Sequence, residues 1–183
     1  LLLCDWNTAF DRVGTRALED ALMAFGIMGN FLKAIVATFV NQFRVLGQEG
    51  FESSEFFPQE TGIRQGCPLS PLLFAIMLSW LMEGVDRQYN SLGIANPSLP
   101  VWDVFYADDT LFMSTDPVDM QARFTLLEGL AEKVGLTLNR DKTVILLAKA
   151  KTKVTMGISK HTNINRLVTP FNITYADGVP IKE

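Results

Sequence analysis

Two adjacent carboxylates interrupt a stretch that otherwise has the composition of a buried strand. The stretch reads VFYADDTLF over residues 104–112, with Asp108 and Asp109 between apolar and aromatic neighbours. Aspartate is depleted in strands, and burying an unpaired carboxylate is costly. The residues around the pair are therefore expected to form a hairpin that turns near Asp108 and Asp109, in a fold that offsets the cost of these charges.

A third acid, Asp5, directly follows the apolar run of residues 1–4. If this strand lies beside the hairpin, three carboxylates converge, and like charges that close raise each other's pKa unless a cation lies between them. Magnesium suits such oxygen ligands, and two ions can hold both the attacking and the leaving oxygen of a phosphoryl displacement. For Asp108 and Asp109 alone, a polar turn with a solvated Asp5 is the simpler interpretation.

The composition limits the classes of protein to which this chain could belong. A chain of 183 residues with 48% hydrophobic and 20% charged residues is expected to form one packed core. Two cysteines and a single histidine argue against a disulfide framework or a structural zinc site and favour an intracellular compartment. The longest apolar run, residues 72–82, is shorter than the roughly 20 residues that cross a bilayer. A net charge of −4 lacks the basic footprint usual for nucleic-acid binding.

Local patterns predict alternating helices and hairpins. Predicted helices run from a Thr15 cap to Gly26, over 30–41, from a Ser70 cap with Pro71 to about Asp86, and from Asp116 to Gly135. Predicted strands cover 43–46, 55–59, a 101–111 hairpin, 143–147 and a hairpin around Asp177 and Gly178, with a loop over 89–100. This order predicts an α+β fold, a mainly antiparallel sheet with helices packed on one face.

Four segments resemble, in the family's order, the palm motifs of reverse transcriptases. They are DWNTAFDRV at 5–13, GIRQGCPLSPLLF at 62–74, FYADD at 105–109 and GLTLNRDK at 135–142. The second is the most specific, and its form is most similar to that of non-LTR (LINE-type) retrotransposons. The resemblance covers about residues 1–147 and implies the palm of an RNA-directed DNA polymerase.

The resemblance implies a role for each motif. Asp5, Asp108 and Asp109 would be the catalytic residues and the ligands of two Mg²⁺ ions, with Mn²⁺ as the alternative ion. The implied substrate-binding residues are Phe10, Arg64, Gln65, Gly66, Tyr106 and Lys142.

Several of these residues also have a structural interpretation. Phe10 would exclude a 2′-hydroxyl from the incoming sugar, or it is an ordinary core ring. Lys142 would neutralise or protonate the leaving pyrophosphate, or it is a surface lysine. Asp11 would assist substrate or metal placement, or it forms a local cap or turn for the helix that starts at Thr15. These alternatives remain open at the level of the sequence.

The resemblance also predicts domains and partners. Residues 1–147 would form the palm, and residues 148–183 a basic loop with Lys149, Lys151 and Lys153 and a lead-in hairpin toward a primer grip and thumb. The partners would be an RNA template, a DNA primer and deoxynucleoside triphosphates, with no membrane and an undefined oligomeric state, in the cytoplasm and nucleus. The chain begins on Leu1, so we expect a piece of a longer polypeptide that is inactive without fingers and thumb.

Three other functions compete with a polymerase. A non-catalytic RNA-binding scaffold of the same fold would usually lack an acid at position 5, 108 or 109, and all three are present. A palm-type nucleotidyl cyclase would lack the template loop at residues 64–66. An unrelated structural domain would bind no magnesium.

Overall fold

The structure is a computed structural model that describes residues 1–39, 42–43, 55–93, 103–106, 109–146 and 173–182. The strands are β1 (Leu2–Asp5), β2 (Gln42–Phe43), β3 (Phe57–Pro58), β4 (Asp103–Tyr106), β5 (Asp109–Phe112) and β6 (Val144–Ile145). The helices are α1 (Ala9–Arg12), α2 (Thr15–Ala24), α3 (Gly29–Phe39), α4 (Ser70–Ser91) and α5 (Pro117–Lys133). Within these ranges, no helix has the length and apolar composition that a membrane span needs.

The main sheet has the strand order β4-β5-β1-β6, and each neighbouring pair is antiparallel. In β1 the side chains of Leu2 and Cys4 are buried while Leu3 between them is exposed. Because successive side chains of a strand point to opposite faces, this alternation means that one face is covered and the other is open. The predicted α+β class with a mainly antiparallel sheet is confirmed.

The helices supply the other half of the core. Helix α4 packs against α5 and α2, and its buried residues recur at the three- and four-residue spacing of a helix face. Those of α4 include Leu73, Phe74, Met77, Leu78 and Leu81. The buried apolar residues of α5 are Met120, Phe124, Leu127 and Ala131.

Two predicted helix starts are wrong in detail. Leu69, not Ser70, is the N-cap of α4, and the Ser70 hydroxyl donates to the carbonyl of Arg64 at 2.6 Å. Gly14, not Thr15, is the N-cap of α2, and the Thr15 hydroxyl donates to the carbonyl of Glu60 at 3.4 Å. In both cases the hydroxyl bonds to a loop rather than to its own helix.

Helix α4 also continues past its predicted end at Asp86, so residues 89–91 of the predicted loop are helical. The reason is a long-range contact: Tyr89 is buried, and the Arg123 guanidinium of α5 lies 3.6 Å from the centre of its ring. Residues 94–100 of that predicted loop lie outside the described ranges.

The remaining hairpins form where the pattern places them. The hairpin around Asp177 closes through the Tyr175 N–H, which donates to the Val179 carbonyl at 2.9 Å. Strands β3 and β6 are shorter than predicted, with two residues each. Residues 44–46 of the predicted strand 43–46 lie outside the described ranges. The lysines of the predicted basic loop lie in a part of the chain that the structure does not describe.

Asp116 is the N-cap of α5, as predicted, and its carboxylate accepts from the backbone N–H of Val118 at 2.9 Å. We expect Asp116→Ala to lower the free energy of unfolding by about 1 kcal/mol, because this N–H then loses its partner. Urea unfolding measures the change. Asp116→Asn keeps an accepting oxygen and should lose far less, whereas equal losses in both variants would contradict the capping role.

Candidate active site

The register of β1 and β5 brings two of the three predicted acids together. Asp5 lies directly opposite Asp109, and Tyr106 of β4 lies opposite Asp109 on its other side. Residues opposite each other in an antiparallel pair have Cβ atoms about 4.5–5.5 Å apart and share a face of the sheet. Asp109 is exposed, and the side chain of Asp5 is 20% exposed. Asp108 lies outside the described residues.

The segment that resembles the fourth motif folds back onto the end of β1. The N–H of Asn139 donates to the carbonyl of Asp5 at 2.8 Å, and the Asn139 side chain accepts from the N–H of Asp141 at 3.1 Å. This turn places the Lys142 ammonium 3.7 Å from a carboxylate oxygen of Asp5. Such an exposed pair adds little stability. Its consequence is that a flexible cation is held beside the acids.

The donor set at this edge fits a divalent cation. Asp5 and Asp109 offer hard carboxylate oxygens, and the sheet holds them close enough that a positive charge between them is favourable. In the described part of the chain, no group of three or more histidine, cysteine or acidic residues is placed to hold a metal. The predicted third ligand, Asp108, falls outside that part.

A cleft of about 290 Å³ lies over the paired acids. It brings together Tyr106, Lys142 and both acids, and its lining residues are Leu3, Cys4, Asp5, Val104, Tyr106, Asp109, Thr110, Leu111 and Lys142. Tyr106 is 82% exposed and therefore stands at the rim. Beneath the acids, the buried Trp6 indole N–H donates to the Thr110 hydroxyl at 3.0 Å, which ties β1 to β5 at this end.

A second cleft of about 610 Å³ combines the first and second motifs. Its lining residues are Thr8, Ala9, Phe10, Asp11, Gln65, Gly66, Cys67, Pro68, Ser70 and Pro71. The predicted substrate residues Phe10, Gln65 and Gly66 therefore share one cavity. Arg64 is exposed beside them but does not line it.

Phe10 both packs against the core and lines the larger cleft. Its ring stacks on Phe74 of α4, with the ring centres 5.0 Å apart and the planes 20° from parallel. Yet it is only partly buried and lines the larger cleft. The packing on Phe74 would hold the ring in place on the cleft wall.

Backbone contacts hold the two walls of this cleft together. The N–H of Gly62 donates to the carbonyl of Val13, and the N–H of Ile63 donates to the carbonyl of Phe10, both at 2.8 Å. Gly62 has φ +90°, and a Cβ there would lie 2.8 Å from the carbonyl oxygen of Asp11. Only glycine permits this approach, which explains the glycine that opens the second motif.

Asp11 does not cap α2; it lies in the one-turn helix α1 that precedes α2. The N-cap of α2 is Gly14, which has no side-chain cap, and one Asp11 carboxylate oxygen accepts from the Gln65 side-chain amide at 2.9 Å. The sequence contains no local signal for this contact, because 54 positions separate the two residues.

Cys67 is a lining residue that the sequence analysis did not single out. The backbone N–H of Leu69 hydrogen-bonds its sulfur and lowers the thiol pKa, and the charge of Arg64 adds to the effect. Cys4 is buried between sheet and helices, and burial raises its pKa.

We expect iodoacetamide to modify Cys67 at least about tenfold faster than Cys4 in the folded protein, because the thiolate is the reactive form and must be accessible. Mass spectrometry of peptides after timed labelling measures both rates. Unfolding in urea supplies the control and should remove the difference. Equal rates in the folded protein would contradict the two environments.

Comparison with known proteins identifies a family that matches most of this chain. The family described as "Reverse transcriptase (RNA-dependent DNA polymerase)" matches residues 1–167. The Pol polyprotein of the type-2 retrotransposable element R2DM of Drosophila melanogaster is 28% identical over 155 residues, 83% of this chain and 14% of that protein. The Pol polyprotein of the type-1 element R2 of Popillia japonica is 26% identical over 144 residues, 79% of this chain and 23% of that protein. This chain thus spans less than a quarter of either relative.

Among solved structures, a telomerase from Candida albicans in complex with a fragment of telomeric RNA superposes with a TM-score of 0.60. The likeness covers 80% of this chain and 27% of that chain, at 18% sequence identity. At this identity the likeness establishes a shared fold.

Proposed function

This chain belongs to the reverse transcriptase family, and on that premise we propose that it forms the palm of an RNA-directed DNA polymerase. The polymerase would extend a primer 3′-hydroxyl with deoxynucleotides along an RNA template. The observation that carries the proposal is the register that sets Asp5 opposite Asp109, beside the Lys142 ammonium. The relatives include Pol proteins of non-LTR elements, so the resemblance drawn from the second motif is confirmed.

The acids would form the metal site. We assign Asp5, Asp108 and Asp109 as the ligands of two Mg²⁺ ions, for which Mn²⁺ could substitute. When bound, the ions would supply activation of the primer hydroxyl and neutralise charge on the transferred phosphate. The strand pairing supports this assignment because it holds two of the three carboxylates opposite each other before any substrate binds.

Lys142 would act on the leaving group. Its ammonium is a compact charge with three donors on a flexible stem. It lies 3.7 Å from Asp5 and is 68% exposed, so it can turn toward a triphosphate without unpacking the core. By neutralising or protonating the leaving pyrophosphate, the ammonium would assist its departure.

The larger cleft would receive the incoming nucleotide. Phe10, fixed by its stacking on Phe74, would stand where a 2′-hydroxyl would otherwise fit. Gly66 has φ +82° and no atoms within 4 Å of its Cβ position, so a base pair can approach its backbone closely. The exposed Arg64 and Tyr106 would contact template or nucleotide from the rims of the two clefts.

The division of the chain belongs to the same proposal. Residues 1–147 would be the palm, and residues 148–183 would lead to a primer grip and thumb. The hairpin at 173–182 is docked on α5: Gln121 donates to the Thr174 carbonyl at 2.8 Å and accepts its N–H at 2.7 Å. As for other retrotransposon products, we propose a location in the cytoplasm and nucleus.

Primer extension tests the proposed function. The assay uses the longer polypeptide that carries this chain, a primed RNA template, deoxynucleotides and Mg²⁺, with Asp108→Asn as the control. The reference protein should extend the primer and the variant should not. Equal extension by both would remove Asp108 from the mechanism. Template binding without extension by the reference protein would favour the non-catalytic scaffold instead.

A further inference from the structure

The contact between Asp11 and Gln65 crosses the wall of the larger cleft. The Gln65 amide nitrogen, Nε2, donates to Oδ1 of Asp11 at 2.9 Å. An ionised carboxylate only accepts hydrogen bonds, so the amide must present its nitrogen to Asp11. The amide oxygen, Oε1, therefore faces away from Asp11. A neutral hydrogen-bonding side chain at position 11 could bond either the nitrogen or the oxygen of the Gln65 amide, so it would not fix the orientation of the amide.

The backbones on both sides of this contact are held in place. The Thr61 hydroxyl donates to the Asp11 carbonyl at 3.0 Å, and the Ile63 N–H donates to the Phe10 carbonyl at 2.8 Å. Gly62 lies against the backbone of Asp11 so closely that a Cβ would clash. What can still vary is the rotation of the Gln65 side chain, which is exposed, and the bond to Asp11 favours one rotation over the others.

We propose that Asp11 is a positioning residue that orients the Gln65 carboxamide so that its oxygen is the hydrogen-bond acceptor presented to the nucleotide cleft. This inference rests on the proposed function, since it assumes that a nucleotide enters the cleft. An accepting oxygen selects a hydroxyl or amino group, because phosphate oxygens have no proton to donate to it. Gln65 would therefore face the sugar or base, and a flipped amide would instead attract the triphosphate.

A swap of the two side chains tests the orientation. Gln65→Glu alone sets two carboxylates against each other, and we expect the KM for deoxynucleotide to rise about tenfold or more. Asp11→Asn combined with Gln65→Glu restores the bond, since the introduced asparagine amide donates to the introduced glutamate and an oxygen again faces the cleft. Because the introduced carboxylate adds a negative charge to a cleft that would receive a triphosphate, we expect partial recovery, with a KM at least about threefold below that of Gln65→Glu.

Asp11→Leu supplies the second measurement. It should raise KM about tenfold while kcat changes less than about threefold, because an ordered amide contributes to binding rather than to the chemical step. In a Gln65→Leu background the same change should have almost no further effect on KM. Steady-state primer extension at varied deoxynucleotide concentration gives these values, and thermal unfolding shows which variants fold.

Two results would overturn the proposal. One is a double variant that folds but keeps the raised KM of Gln65→Glu. The other is an Asp11→Leu variant that lowers kcat and shifts the Mg²⁺ concentration required, which would make Asp11 act on the metal site. If Asp11→Leu fails to fold, the swap alone decides. These results are distinct from failure of the proposed function, which would show as undiminished extension by Asp109→Asn.

Discussion

In the longer polypeptide that carries this chain, Asp109→Asn is expected to lower the rate of primer extension by about three orders of magnitude or more. The substitution keeps the size of the side chain but removes the charge opposite Asp5, on which the proposed binding of a divalent ion depends. Removing several kcal/mol of electrostatic stabilisation from the transition state corresponds to a loss of this size. Single-turnover extension at saturating deoxynucleotide measures the rate.

Asp20→Asn is the matched control. Asp20 lies on α2 and makes an exposed ion pair with Arg16 at 3.5 Å, so the same chemical change should leave extension within about twofold of the reference, as for most surface sites. Both variants should have the same unfolding temperature as the unsubstituted protein. A folded Asp109→Asn protein with more than about a tenth of the reference rate would contradict the assignment.

Gly135→Ala is expected to destabilise the fold by about 3 kcal/mol or more. Gly135 follows α5 with φ +88°, and a Cβ there would lie 2.5 Å from the carbonyl oxygen of Arg12. The added methyl group must overcome both the unfavourable conformation and a clash with backbone that cannot rotate away. Because Arg12 belongs to the first motif and Gly135 opens the fourth, the damage should reach the acidic edge as well.

Gly26→Ala separates the two causes. Gly26 has φ +81° but no atom within 4 Å of its Cβ position, so it should lose only about 1–2 kcal/mol for the left-handed conformation. Urea unfolding of both variants gives the difference, which measures the clash. Equal losses would mean that the first and fourth motifs are not packed as closely as the structure has them.

The sequence was sufficient for features that depend on local pattern. Alternation of buried and exposed residues in β1 and β5 determines which face each acid occupies, since a one-residue slip would move Asp5 into the core. The cap of α5 at Asp116 and its end near Gly135 also follow from residues a few positions away. The pairing of Asp5 with Asp109 does not follow from local pattern: the sequence places each acid at the end of a strand, and that these strands are neighbours is a hypothesis that the register bears out.

Contacts between side chains that are far apart in the sequence could not be predicted from local pattern. The buried Arg123 bonds to Asp119 at 3.1 Å and to Asp86 at 2.9 Å, and it covers Tyr89. These contacts extend α4 past its predicted end. The bond between Asp11 of α1 and Gln65 of the loop before α4 likewise depends on a proximity that the whole fold creates. From the sequence alone, each of these residues could equally be an ordinary surface residue. Only the tertiary packing brings each one to its partner.

Binding of Mn²⁺, followed by electron paramagnetic resonance in the presence of a deoxynucleoside triphosphate, tests the central claim most directly. The claim is that the paired strands β1 and β5 hold a divalent ion between Asp5 and Asp109. We expect the protein and Asp20→Asn to bind Mn²⁺ alike, and Asp5→Asn and Asp109→Asn each to weaken binding at least about tenfold. Equal affinity in all four proteins would contradict the account.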